Sequence, residues 1–147
     1  DEVVLTLTDG TTMTGAEFLA HEFGDALEVA AFHPVEGAVN LYRTARFAND
    51  KQRTLASMMT PTCPVPGCRH GADSCEMHHI DAWRFGGETN LANLVPLCRF
   101  HNGRNDDDPE VRRYGRIRIR DGTPIWVSPG GTPVENDTPG AMEQLFN

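Results

Sequence analysis

The sequence predicts a small α+β fold with a β/α lead-in, a compact centre and a C-terminal β-hairpin, and three observations predict it. Short strand-like alternations are interleaved with capped helical segments rather than gathered into long amphipathic runs. Two close-spaced ligand pairs, Cys63-x4-Cys68 and Cys98-x2-His101, can close a tetrahedral Zn²⁺ site with no open position. Near the end, Gly115 to Arg120 alternates Arg and Ile before Asp121-Gly122, a two-residue hairpin signal.

The elements follow in order. Val3 to Thr8 alternates and reads as a strand ending at Asp9-Gly10. Thr14-x-x-Glu17 is a capping box opening a helix through Phe18, Leu19 and Phe23 that stops at Gly24. Leu27 to Phe32 and Ala38 to Tyr42 read as strands around His33-Pro34 and Gly37; His21 and His33 are isolated, which fits surface or structural roles. Asn49 caps a helix from Asp50 to Met59 that ends before Pro61. Arg116, Arg118 and Arg120 share one strand face and lead into Ile125, Trp126 and Val127, with Pro124 marking the return strand as an edge. From Ser128 onward Pro, Gly and Asn dominate, which predicts a loose tail. The domain reading is therefore a lead-in over 1–48, a core over 49–128 and a flexible tail over 129–147.

At 147 residues the chain suits one domain with appendages. It has no apolar run of the roughly 20 residues that a membrane span needs, and no signal-peptide pattern. It begins with Asp1, as a fragment of a longer protein would, and an N-terminal domain of the same protein is one expected partner. Cysteines beside histidines, without a secretion signal, favour metal ligation over disulfides and a reducing, cytoplasmic setting.

The net charge of −8 argues against a polyanionic partner, but its distribution does not. All 13 basic residues, 12 of them Arg, lie between Arg43 and Arg120, where 9 acids accompany them. The flanks carry 12 acids and no base. A basic centre fits phosphate contacts, since guanidinium groups fork onto phosphate oxygens, and it equally fits a solvated surface or a charged edge strand.

The loop Cys63-Pro64-Val65-Pro66-Gly67-Cys68 aims two thiolates at one point, and Cys98-Arg99-Phe100-His101 can add the second pair from the first turn of a helix after the apolar run Leu94 to Leu97. Such a staple contributes on the order of 10 kcal/mol of folding free energy. A competing set would join Cys75-x2-His78 to Cys63 and Cys68, leaving Cys98 a buried thiol. In the preferred allocation Cys75 is the free thiol and the doubled His78-His79 is left for other chemistry.

The string C-x4-C…HHI-x2-W-x2-GG-x2-N-L-x2-N-L-x2-LC-x2-H-N, over residues 63 to 106, resembles the HNH endonuclease family, the ββα-metal nucleases. It is most similar to the branch whose HNH unit follows a helical domain of unknown function, and Arg43 to Arg53 and the late hairpin look like that branch's flanks. The resemblance implies a β-hairpin and helix clasping one catalytic divalent ion. It implies His79 as the general base that takes a proton from the attacking water, and Asn93 as the amide that orients that histidine or braces the loop. It implies His78, Asn102 and Asp106 as ligands of the catalytic ion, Mg²⁺ or Mn²⁺ with Ni²⁺ as a further candidate. Arg84, Arg104, Arg116, Arg118 and Arg120 are the candidate DNA contacts. Asn102 stands where many relatives carry the last motif histidine, and His78 where many carry aspartate. The substitutions at Asn102 and Asn105 keep open a nucleic-acid-binding zinc module without turnover, and a third reading, a purely structural zinc domain within a larger protein, is disfavoured by the basic centre. Cleavage specificity and oligomeric state are left open by these residues.

Overall fold

The structure, a computed structural model, describes residues 4–20 and 40–136. It is mixed α+β, built from small antiparallel sheets and short helices. Strands β1 (Val4–Thr6) and β2 (Thr12–Thr14) pair around a turn at Asp9-Gly10. Asp9 holds that turn by accepting from the Thr11 hydroxyl and backbone N–H at 2.7 and 2.9 Å. The expected strand before Asp9 is therefore half of a hairpin whose second strand went unread. Helix α1 (Gly15–Ala20) opens at the expected capping box: Glu17 N–H donates to the Thr14 hydroxyl, and Thr14 N–H to the Glu17 carboxylate. The strand expected at Leu27 to Phe32, together with Phe23, Gly24, His21 and His33, lies outside the described residues. Of Ala38 to Tyr42, the described part forms one antiparallel bridge, Asn40 to Asn90, and no strand. Leu41 N–H donates to the Thr89 carbonyl and Thr89 N–H to that of Tyr42, so the loop carrying Thr89 is its partner.

Helix α2 (Asp50–Met59) has the expected boundaries. Its capping box is complete: Gln52 N–H donates to Asn49 Oδ1, and Asn49 N–H donates to Gln52 Oε1. Strand β3 (Cys75–His79) pairs with β4 (Leu94–Cys98), in a register that sets Cys75 opposite Cys98 and His79 opposite Leu94. A short helix α3 (Arg99–Asn102) follows β4 directly. This β3–β4–α3 unit is the centre of the molecule. All five residues of β4 are buried, and Val95, Leu97, Ile80 and Ile117 gather with the four cysteines in one core cluster. A second cluster joins Ala56 of α2 to Leu91 and Leu94, so α2 packs behind the hairpin. At about 25 cal/mol per Å² of apolar area removed from water, these small clusters leave much of the stability to other sources.

The late hairpin is present as β5 (Arg116–Arg120) and β6 (Thr123–Val127), with Ile117 opposite Trp126. Two expectations are corrected here. Strand β6 is the middle strand, because β7 (Pro133–Val134) pairs with Trp126 and Val127. Pro124 is tolerated there because β7 is too short to reach it and requires no N–H from it. The tail expected to be loose from Ser128 instead folds back as far as Asn136. The Asn136 amide donates to the carbonyls of both Cys63 and Cys68 at 2.9 Å and accepts from Gly67 N–H.

Candidate metal centre and active site

The proline-shaped loop after α2 and the β4–α3 junction bring Cys63, Cys68, Cys98 and His101 together, their ligand atoms all within 4.8 Å of one another. The Cys68 and Cys98 sulfurs are 3.9 Å apart, and Cys63 Sγ lies 3.6 Å from His101 Nδ1. A tetrahedral zinc with ordinary bond lengths gives edges of about 3.8 Å between sulfurs and about 3.6 Å between sulfur and nitrogen. These two edges match, Cys98 Sγ lies closer to His101 Nδ1 at 3.2 Å, and three thiols with one imidazole are a zinc donor set, so this cluster could hold a zinc ion. Burial raises the thiol pKa values of Cys63 and Cys68 above the ordinary range, the state that a metal relieves. Burial, with the charges of His70 and Arg104, lowers that of His101 and keeps its imidazole in the neutral, ligating form.

Cys75 stays outside this group. Its thiol donates to the Gly71 carbonyl at 3.3 Å, and burial with the neighbouring Cys98, Cys68 and Glu76 charges pushes its pKa up to about 12. The competing Cys75/His78 set is not assembled. His70 was overlooked: its Nδ1 lies 3.3 Å from Cys68 Sγ, and a histidine two residues beyond a ligand cysteine is a signal that could have been read.

The two adjacent histidines of β3 face opposite ways, as strand geometry requires. His78 is buried and meets α3, where its Nδ1 is 2.9 Å from Asn102 Oδ1. The Asn102 amide N–H donates to Glu76 Oε2, so its oxygen is the acceptor and His78 Nδ1 carries the proton. His78 Nε2 is then a bare lone pair. It is buried, has no hydrogen-bond partner among the described residues and faces Asp107 Oδ1 at 4.0 Å. Burial holds the His78 pKa below its usual value, against the opposing pull of Asp107 and Asn102. A neutral imidazole lone pair and a carboxylate oxygen, the latter also accepting from the Asn105 amide at 2.8 Å, are donor atoms of the kind that ligate a cation.

Asp107, not Asp106, is the carboxylate beside His78. The ligand role expected of Asp106 assumed that it shares a helix face with Asn102, but α3 ends at Asn102 and Gly103 caps it. Asp106 Oδ2 instead accepts from the backbone N–H groups of Arg113, Tyr114 and Gly115 at 2.8 to 2.9 Å. Burial opposes its ionisation, but those three donors and the Arg116 guanidinium outweigh it and hold the carboxyl below the usual range.

His79 Nε2 is 2.9 Å from the hydroxyl of Thr89, a fully buried residue. That hydroxyl donates its one proton to the Arg46 carbonyl at 3.1 Å, so it accepts from His79 Nε2–H and leaves Nδ1 with the free lone pair. Burial lowers the His79 pKa, helped by the charges of His78, Arg46 and Arg43. Trp83 meets the imidazole edge-on at 5.9 Å, and Arg43 stacks on Trp83 at 3.6 Å while donating to the carbonyls of Trp83 and Gly87. Gln52 reaches from α2 to the Thr89 carbonyl. Asn93 ties the loop: its amide donates to the carbonyls of Asp81 and Glu88, and its oxygen accepts from Asp81 N–H. It touches loop backbone and makes no hydrogen bond to His79. Gly86 has a positive φ of 95°, and a side chain at Gly87 would run into the Asp81 carbonyl, so the Gly-Gly turn lets the loop close.

A cleft of about 600 Å³ opens beside this loop, lined in part by Asp81, Phe85, Asn93, Asp107 and Arg118. Of the candidate DNA contacts, Arg118 borders the cleft and lies 3.9 Å from Asp81. Arg116 is committed to the carbonyls of Asp108 and Val111. Arg84, Arg104 and Arg120 are exposed. Besides His70, reading the sequence missed the roles of Thr89, Asp107, Arg43 and Asn136.

Residues 63–106 match the HNH endonuclease family model. That match suggests a nuclease or nucleic-acid-binding role for this segment. Two curated relatives, the uncharacterized proteins MT2160 and Rv2100 of Mycobacterium tuberculosis strains CDC 1551 and H37Rv, are each 32% identical over 81 residues. The alignment covers 55% of this chain and only 14% of either relative. No solved structure matches the chain. Among the described residues no helix is long and apolar enough to cross a membrane.

Proposed function

We propose that the chain carries a metal-dependent endonuclease that hydrolyses phosphodiester bonds in DNA. The observation that carries this reading is the opposed use of the doubled histidine. His79 has a free Nδ1 on a neutral, oriented imidazole, while His78 turns a bare Nε2 towards Asp107. In this reading His79 Nδ1 takes the proton from the attacking water, and Thr89 holds the ring in the tautomer that allows it. His78 and Asp107 would hold the catalytic divalent ion, with Asn102 as the brace that sets the His78 tautomer. The ion, when bound, supplies positive charge against the scissile phosphate and the leaving oxygen. Asn93 and Arg43 keep the loop closed so that base and phosphate stay in register. The zinc cluster serves as the staple on which β3, β4 and α3 are hung.

Plasmid nicking with added Mg²⁺, Mn²⁺ or Ni²⁺ tests the reading. Cleavage is expected to require the added ion and to fall about 100-fold or more in His79→Ala. Asp107→Asn is expected to raise the ion concentration needed for half-maximal rate, while leaving the melting temperature unchanged. Asp106→Asn is expected to lower the melting temperature and leave the ion requirement in place. Equal cleavage by wild type and His79→Ala would refute the reading.

A further inference from the structure

The outer side of α3 and the loop that follows carry a surface that the catalytic reading does not use. Phe100 is 58% exposed and Tyr114 is 37% exposed, on either side of Arg104. The Arg104 guanidinium lies 4.5 Å from the Phe100 ring and 5.5 Å from the Tyr114 ring, and Arg113 adds a second cation at 4.8 Å from Tyr114. Arg99 and Arg112 are exposed on the same segments. Neither Arg104 nor Arg113 has a carboxylate within ion-pair distance among the described residues. Three of the four acids of this stretch are engaged elsewhere: Asp106 with three backbone N–H groups, Asp107 with the Asn105 amide and facing His78, and Asp108 with Glu110 N–H; the fourth, Glu110, is exposed. The surface is also held in place. Asp106 pins residues 113–115 directly, and Arg116 ties the loop at Asp108 and Val111.

Exposed aromatic faces spaced by a guanidinium suit unpaired nucleobases. A base presents its π-face only when it is not enclosed in a duplex stack, and an arginine between two rings can reach the intervening phosphate. We propose that Phe100 and Tyr114, with Arg104 between them and Arg113 beside them, form a platform on which unpaired bases of a DNA strand stack. Asn102, the partner of His78, lies two residues from both Phe100 and Arg104, so the platform borders the candidate active site. The HNH segment accordingly favours DNA with a single-stranded stretch next to the cleaved bond. The proposal rests on the nuclease reading for its substrate and goes beyond it in naming the strand form.

The test is fluorescence anisotropy with the zinc-loaded chain in a His79→Ala background, which leaves the probe intact. A labelled 12-nucleotide oligothymidylate is compared with a blunt duplex of mixed sequence over a range of salt. Phe100→Ala and Tyr114→Ala are each expected to weaken single-strand binding about tenfold and to leave its salt dependence unchanged. Phe100→Trp should restore binding and Phe100→Leu should not, while duplex binding changes less than twofold throughout. Arg104→Ala should weaken binding and flatten the salt slope by about one unit. Unchanged single-strand binding in the alanine variants, equal losses on strand and duplex, or rescue by Leu as good as by Trp would overturn the platform. Tighter binding of oligouridylate than of oligothymidylate would overturn DNA as its ligand. Plasmid nicking by the chain with His79 intact separates the two readings. Nicking with no effect of the platform variants removes only the platform, whereas strand binding that depends on them without nicking removes only the nuclease.

Discussion

At the residue scale, the decisive feature is a single hydroxyl. Thr89 has one proton to give, and the Arg46 carbonyl takes it, so the His79 ring is held with Nδ1 unprotonated. Neither Thr89 nor Arg46 carries a motif signature, and only the fold brings them to His79. Thr89→Val keeps the volume but removes the acceptor. It is expected to lower nicking about 10- to 100-fold, the usual scale for losing an orienting partner. Thr89→Ser should retain most of the rate, and the ¹⁵N chemical shifts of His79 should report loss of the single tautomer in the valine variant alone. Unchanged shifts and rate in Thr89→Val would remove Thr89 as the positioning residue. Asp106 and Asp107 teach the complementary lesson. Adjacent identical side chains have opposite uses, one binding backbone and one facing a buried imidazole, and sequence alone offered no way to rank them.

At the element scale, the helices follow their local signals closely. Asn49 with Gln52, and Thr14 with Glu17, form complete capping boxes, because a cap is a contact between residues three apart and is written locally. The failures are at partners distant in sequence. Strand β7 pairs only two residues, too few for an alternation to show, and its value lies in delivering Asn136 to the zinc loop. The Asn136 amide donates to the Cys63 and Cys68 carbonyls and accepts from Gly67 N–H, and these three hydrogen bonds make that delivery matter. Asn136→Ala is therefore expected to cost about 2 kcal/mol in chemical denaturation and to speed zinc loss to a chelator. A variant that loses zinc at the wild-type rate would show that the knuckle stands without its clasp.

At the scale of the whole molecule, the larger apolar cluster is built around the four cysteines, so a zinc ion held there would be part of the core. Zinc binding must displace thiol protons, and burial raises the affinity of Cys63 and Cys68 for theirs in the metal-free protein. Protons therefore compete more strongly as pH falls. The melting temperature of the zinc-loaded chain is expected to drop on acidification and on chelation, with the two effects merging into one unfolding transition. A chelated chain that melts cooperatively at the original temperature would refute the staple.

The four residues that could hold zinc, the helix caps, the late hairpin and the doubled histidine were all legible in the sequence. Each is encoded in close spacing or in residue types with few other uses. The tertiary structure alone decided which neighbours those residues meet: Thr89 for His79, Asp107 for His78, Asp106 for its own downstream loop, and Asn136 for the knuckle. Such pairings join positions whose approach depends on chain reversal and packing, and no periodicity records them. The chemistry was legible as a set of residues, but its geometry was decided by the fold.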